Sequence, residues 1–453
     1  MATNVASQFS SDIVAYIAEK TLPLTRKQLV AYQFGDPLTL PKGRGTTYTA
    51  TRYLRIPLPF APLSEGVPPI GETMTIQQVS ATAQQWGDKV TITDVAEMTI
   101  YHPLFQKATE LVGLQVAETL ERNTFNTLNS GTQINYVNSR GARASLTTGD
   151  VINPFEVTRA YSMLFNLGAP RYMGDEMTDT KLEADAGGAK ASSNPRQMPH
   201  FVSILHPFVS ADFRQNNSVQ TAWSFSDINR LYNFEAGEWN GIRFCESNMV
   251  PFWTGIANNA AGLTYTPGTA GALATNSYFV QVTGSDTQNQ FESQVYQISA
   301  SQSVTGPNGS IQVTVPSTTG YTYNVYISTS SAMASSSLGV TTSGPTTGPL
   351  AGQATQIAAG STITITAAGT AQQPPAAPAT GQTVYPTYII GRGAYGQVML
   401  DDVKFTYLKD ADKSDPINQL RVVGWKCYYG TLLSNNQFFM RIESTSAFSA
   451  TFG

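Results

Sequence analysis

Several groups of residues in this chain have types and spacings that could do chemistry. Gly391, Gly393 and Gly396 are spaced as GxGxxG, which in a nucleotide site lets backbone amides and a helix start approach a pyrophosphate. The residues after them, QVMLDDVKFTYL, alternate as a strand, so the three read as turn glycines. Asp410, Asp412, Ser414 and Asp415 imitate the start of a calcium loop. The sixth position lacks glycine, and Arg421 stands where a bidentate glutamate belongs. Asp401 and Asp402 adjoin in a predicted strand, so they point to opposite faces and cannot act as a carboxylate pair. Cys245 and Cys427 are too few for a thiolate zinc site or a disulfide framework, and read as buried thiols. His102, His200 and His206 form no ligand pair, and the first and last precede prolines at helix starts. No GxSxG elbow accompanies a histidine. The expectation is a protein that is not an enzyme, with no catalytic residue, cofactor or metal.

Composition narrows the class. Of 453 residues, 13% are charged, about half the usual 25% or so, and 41% are hydrophobic, enough for a sizeable core. A formal net charge of −4 supplies no basic field for wrapping nucleic acid. No uninterrupted apolar run is long enough to span a bilayer as a helix. The first twenty residues lack a basic segment followed by an apolar block, so no secretory leader is expected and synthesis in a cytoplasm is.

The elements that would carry any function fall into two compositions. From Gly255 to Thr383 there is no Lys or Arg, and the only acids are Asp286 and Glu292. SYFVQVTG, ESQVYQIS, SIQVTVPS, YTYNVYIST and STITITAAG alternate with period two between Gly, Pro and Asn turns, which predicts a small β-sandwich. AQQPPAAPATGQ closes the stretch and reads as a linker. The flanks read as one domain that this module interrupts, α+β in class. Phe9, Ile13, Val14 and Ile17 predict a short amphipathic helix. PKGRGTTYTATRYLRI and MTIQQVSATAQQW predict two strands joined by a proline-studded tip, an arm too polar on both faces to have its own core. WGDKVTITDVAEMTIYHP predicts a further strand. Ala108, Val112, Val116 and Leu120 then recur four apart, predicting a long helix with Glu110, Glu118 and Glu121 facing out. Asn153-Pro154 predicts a capped helix start, HFVSILHP a buried strand and HPFVSADFRQ another helix.

These blocks carry a resemblance. PKGRGTTY, PLSEG, QWGDKVTITDVAE, HPLFQKATELVGLQVAETLERNTFNTLNSGT, HPFVSADFR and, after Asp415-Pro416, VVGWKCYYGTLLSNNQFFMRIES resemble, in order and spacing, the tailed-phage major capsid proteins. FES at 291–293 with NVYIS at 324–328 resembles immunoglobulin-like or fibronectin-type modules inserted in phage structural proteins. The resemblance implies the phage major capsid shell fold shared with encapsulins and herpesvirus capsid floors. Its parts would be an N-terminal arm (1–41), an extended β-hairpin loop (42–86) and a core beginning at 87–254, with peripheral and axial domains and a spine helix at 103–129. An all-β immunoglobulin-like sandwich (255–383) and the remainder of the core (384–453) complete the chain.

The implied function is self-assembly into pentamers and hexamers of an icosahedral virion shell, put together in the host bacterial cytoplasm, around double-stranded DNA read without sequence specificity. Scaffolding, portal and decoration proteins are the implied partners, no membrane is, and maturation would follow DNA packaging. Arg44, Arg52 and Glu65 are the expected polar contacts of the arm with an adjacent copy, and the sandwich is expected on the outer face. The alternatives are a surface adhesin or carbohydrate-binding structural protein, and a carbohydrate-processing enzyme with an accessory β module. The adhesin predicts a leader and repeated modules, and the enzyme predicts paired acids in a cleft. Deletion of residues 60–72 is expected to abolish normal particles, scored by electron microscopy of the expressed protein.

Overall fold

The computed structural model describes residues 29–41, 43–59, 62, 71–99, 104–172, 199–216, 234–258, 262–287, 291–306, 308–346, 350–408, 417 and 419–448. The helix expected near residues 8–20 and the acidic run Asp410–Asp415 lie outside them. The chain forms two compact units.

The smaller unit comprises residues 85–118 and 401–428 among those described. Portions of the strands Gly396–Leu408, Leu420–Leu432 and Gln84–Thr93 lie side by side in it, in that order. The strand expected to run on through DVAEMT instead turns into a helix, Asp94–Thr99. The reason is local: Thr93 Oγ1 accepts the Ala96 amide at 3.3 Å as a cap, and Asp94 and Glu97 put negative charge in the first turn. Side chains then fasten the unit's pieces. Trp425 Nε1 donates to Gln115 Oε1 at 3.1 Å, Gln115 Nε2 donates to Asp88 Oδ2 at 2.7 Å, and Arg421 pairs with Glu97 at 3.2 Å.

The larger unit is built on a mixed sheet. Its order is Ile134–Tyr136, Phe439–Ser444, Thr383–Ile390, Phe201–Leu205, Ile242–Glu246 and Glu235–Trp239. Every residue of Phe201–Leu205 is buried, as a continuous apolar run predicts for a strand covered on both faces. One face packs against the helices Pro154–Asn166 and Pro207–Arg214 through Val157, Leu164, Val209 and Phe213. The first of these helices starts as expected, with Asn153 Oδ1 accepting the Glu156 amide at 3.1 Å and Pro154 at its first position. The other face packs against Phe125 and Leu128, from the end of the helix Leu104–Asn129, and against Val30, Ala31 and Phe34.

Glu121 corrects the sequence reading. Expected on the outer face of the long helix, it is fully buried, and its two oxygens accept the amides of Val30, Ala31 and Tyr32 at 2.7, 2.7 and 2.9 Å. Those N–H groups lie at the start of the short 3₁₀ turn Ala31–Phe34, and a carboxylate is the side chain that can accept all three. Tyr395 Oη donates to Ala31 O, and Tyr172 Oη donates to Phe34 O at 3.1 Å, so this N-terminal segment is stapled at several points.

Residues 264–371 enclose a second core between two sheets. Thr264–Leu273, Gly309–Thr314 and Thr362–Ile365 form one. The other contains Ala367–Ala371, Ser337–Val340, Tyr321–Ser328, Asn276–Asp286 and Glu292–Tyr296. Val280, Val282, Tyr323 and Val325 of one face Ile311, Val313, Ile363 and Ile365 of the other. All five period-two runs contain strands. The second sheet does not stop at its own edge, because Gln294–Tyr296 pairs in parallel with Thr254–Ile256, which pairs in turn with Thr383 and Val384 of the central strand. The Pro- and Ala-rich stretch expected to act as a linker is held in place: Gln297 Nε2 donates to Pro378 O at 2.5 Å and Gln281 Nε2 to Pro375 O at 3.4 Å.

Two buried groups have measurable consequences for stability. Glu121→Ala strands two buried amides and a part-buried one, each buried amide costing about 1 kcal/mol or more, and is expected to lower unfolding free energy by about 2 to 3 kcal/mol in denaturant titration. Burial holds the His206 imidazole down to about 4, among the rings of Phe208, Phe252 and Tyr385. The unfolded chain takes up that proton near its ordinary 6.5 and the folded chain does not, so stability falls as pH drops from 6.5 to about 4. His206→Asn keeps a capping acceptor and is expected to flatten that stretch of the stability–pH curve by up to about 3 kcal/mol.

Candidate assembly surface

Among the described strands, Thr47–Tyr53 and Ile76–Thr82 pair only with each other, in antiparallel register from Thr47↔Thr82 to Tyr53↔Ile76. Alternation places Tyr48, Ala50 and Arg52 on the more covered face and the threonines outward. The hairpin has a root but no interior. At the root, Tyr48 and Ala81 pack on Leu40, Ala83 and Val398, and the Ala83 amide donates to Thr46 O at 2.8 Å. A Cβ at Gly430 would come within 2.7 Å of Thr82 O, so that position must be glycine for the backbones to approach. Beyond the root, Tyr53, Leu54, Ile56, Leu58, Met74 and Ile76 are all exposed, Leu58 to 80%. This is a run of large apolar side chains that no described residue fully covers.

Of the three residues expected to serve polar contacts, Arg52 is half-buried and engaged within the hairpin, with Nε donating to Gln77 Oε1 of its register partner at 3.0 Å. That pairing results from the antiparallel register, which sets Arg52 opposite Gln77. Arg44 is exposed in the turn between Gly43 and Gly45, both at positive φ. Glu65 lies outside the described residues.

Further apolar surface is exposed elsewhere. In the smaller unit Met98, on the helix Asp94–Thr99, is 79% exposed, and Val95, Leu111 and Tyr407 are also open. In the larger unit Phe155 is 70% exposed on the helix Pro154–Asn166. A shallow pocket beside that helix, of about 400 Å³, is lined by Gln133, Asn135, Arg159, Met163 and Asn166.

Among the described residues, the motifs singled out by sequence do not converge on one site. Gly391, Gly393 and Gly396 form a turn into the strand Gly396–Leu408, with no helix to receive a phosphate. Burial pushes both cysteine thiols up, with the Glu235 charge adding at Cys245. Among the described residues, no three His, Cys, Asp or Glu side chains gather closely enough to hold a metal. The buried charged joints are what sequence reading missed: Glu121 with residues 30–32, and Arg143 with Glu443. Their partners lie 90 and 300 positions away, and nothing local marks them.

No family model matches the chain, and no curated protein matches it by sequence. Solved structures do match by shape. A chain of the capsid of Ralstonia phage GP4 superposes with a TM-score of 0.51 at 8% identity, over 98% of this chain and 98% of its own. A chain of the capsid asymmetric unit of cyanophage Pam1 gives 0.50 at 10% identity, over 99% and 100%. The likeness is one of fold and spans nearly the whole chain: this protein has the fold of phage capsid subunits.

Proposed function

We propose that this chain is a major capsid protein that assembles with copies of itself into the icosahedral shell of a tailed bacteriophage, enclosing double-stranded DNA. It acts through surfaces and not through catalysis. The observation that carries the reading is the hairpin Thr47–Tyr53/Ile76–Thr82, an arm whose outer apolar side chains the described residues leave largely exposed. A two-stranded hairpin is marginal in water unless another surface covers it, and a neighbouring copy would supply that surface. The fold shared with two phage capsids agrees with it.

In this reading residues 42–86 lie across an adjacent subunit, with Arg44 and Glu65 among the polar contacts and Tyr53, Leu54, Ile56 and Met74 supplying buried area. Heterologous contacts of one kind close into pentamers and hexamers. Scaffolding and portal proteins would guide assembly in the host cytoplasm, and DNA would meet the inner face without sequence specificity. Residues 255–383, an immunoglobulin-like sandwich in this proposal, would stand on the outer face.

The test separates folding from assembly. The triple variant Leu54→Ser, Ile56→Ser, Met74→Ser changes only exposed side chains, so subunit unfolding should shift by less than about 0.5 kcal/mol per site. Particle yield by electron microscopy and sedimentation is expected to fall at least tenfold. Normal particles from that variant, or a wild-type chain that stays monomeric at high concentration with the hairpin ordered, would overturn the proposal.

A further inference from the structure

A buried guanidinium holds both crossings between the central sheet and residues 264–371. Arg143 sits in the short turn Arg143–Ser145 and is 5% exposed. Its Nε and Nη2 donate to the two oxygens of Glu443 at 2.7 and 2.6 Å, a bidentate fork. Its Nη1 donates to Ala376 O at 2.9 Å, on the segment that returns from the sandwich. Its plane lies 3.7 Å from the ring centre of Trp253, on the strand that leads to the sandwich. One side chain thus touches the outgoing strand, the returning segment and the sheet they straddle.

The surroundings fit a lock. Glu443 is fully buried; burial would raise its pKa, but the charges and hydrogen bonds of Arg143 and Arg441 outweigh that and hold it below the usual carboxylate range. Two cations face one anion, and the excess positive charge is met by the carbonyls of Ala376 and Asn129 and by the Trp253 ring. Lysine could not make the fork, the carbonyl bond and the stack together. Beside it the backbones interlock: Gly255 N donates to Gln382 O at 2.9 Å, and Gly381 N donates to Gly255 O at 2.8 Å. A Cβ at Gly255 would lie 2.3 Å from Ala379 O, so the close approach requires glycine there. On the far side of the sandwich's edge strand, Phe291 is buried with its ring edge-on to Phe125, 6.5 Å between centres.

We propose that Arg143 is an orientation lock: it fixes residues 264–371 in one pose on the central sheet, so that the sandwich moves with strand Phe439–Ser444 as one body and is not a tethered attachment. This goes beyond the shell reading and holds for a single subunit.

Hydrogen exchange with mass spectrometry on the full chain tests it. In the wild type, amides of 253–256 and 379–384 are expected to exchange as slowly as those of 201–205. In Arg143→Met they should exchange at least tenfold faster, while 280–282 and 325–327, inside the sandwich, keep their rates. Arg143→Lys should fall between. Wild-type exchange of 379–384 at free-chain rates, or Arg143→Met indistinguishable from wild type, overturns the lock. Should Arg143→Met fail to fold, Trp253→Leu keeps the apolar burial and removes the stacking face; the same local acceleration supports the proposal, and unchanged rates overturn it.

Discussion

The strand Thr383–Ile390 is the constraint on which the rest of the larger unit depends. Seven of its eight residues are buried, and it is hydrogen-bonded on both edges. Along one edge it pairs with Phe439–Ser444 over six positions. Along the other it changes partner, from Trp253 and Thr254 at its start to Val202–Ile204 at its end. Pro386, which has no amide to donate, falls where that edge has no ladder partner, a place where a proline is tolerated inside a sheet. The same strand therefore closes the core of the flanking segments and receives the chain coming back from the sandwich. Its odd and even residues feed separate apolar clusters: Tyr385 and Ile389 pack with the helices, Tyr388 and Ile390 with Phe125 and Phe34.

Charge is scarce in this protein, and much of what is buried works as joints. Glu121 gathers the amides of residues 30–32, and Glu443 gathers Arg143 and Arg441. Burying an ion pair costs desolvation that its attraction roughly offsets, so such groups contribute geometry more than net stability. They suit positions where distant segments must meet in one arrangement. An apolar contact could supply the same area, but it would not specify the register.

The outside of the molecule obeys a different rule. Apolar side chains crowd the hairpin, the helix Asp94–Thr99 and one side of the helix Pro154–Asn166, where no described residue of the chain covers them. Chains that work alone rarely present so much of this surface. An arm without an interior and a core with two well-filled clusters divide the work.

Much of this was legible along the chain, because it depended on short-range periodicity and local turn chemistry. Period-two runs became strands, Asn153-Pro154 opened a helix, and Gly391, Gly393 and Gly396 were turn glycines since the residues after them alternate. Apart from the helix Asp94–Thr99, whose cause is a local cap, the exceptions share one cause. Glu121 reads as a surface glutamate by helical spacing, and only the arrival of Val30–Tyr32 makes it an internal cap. AQQPPAAPATGQ has a linker's composition, yet Gln281, Gln297 and Arg143 bind its carbonyls. Which side chain Arg52 meets within the hairpin is likewise set by pairing register, which places Gln77 opposite it. What the amino-acid order determined alone was where strands, turns and the long helix lie, since neighbours a few residues apart dictate those. Which buried charge meets which backbone was settled only when segments hundreds of positions apart packed together, because a hydrogen bond depends on distance in space.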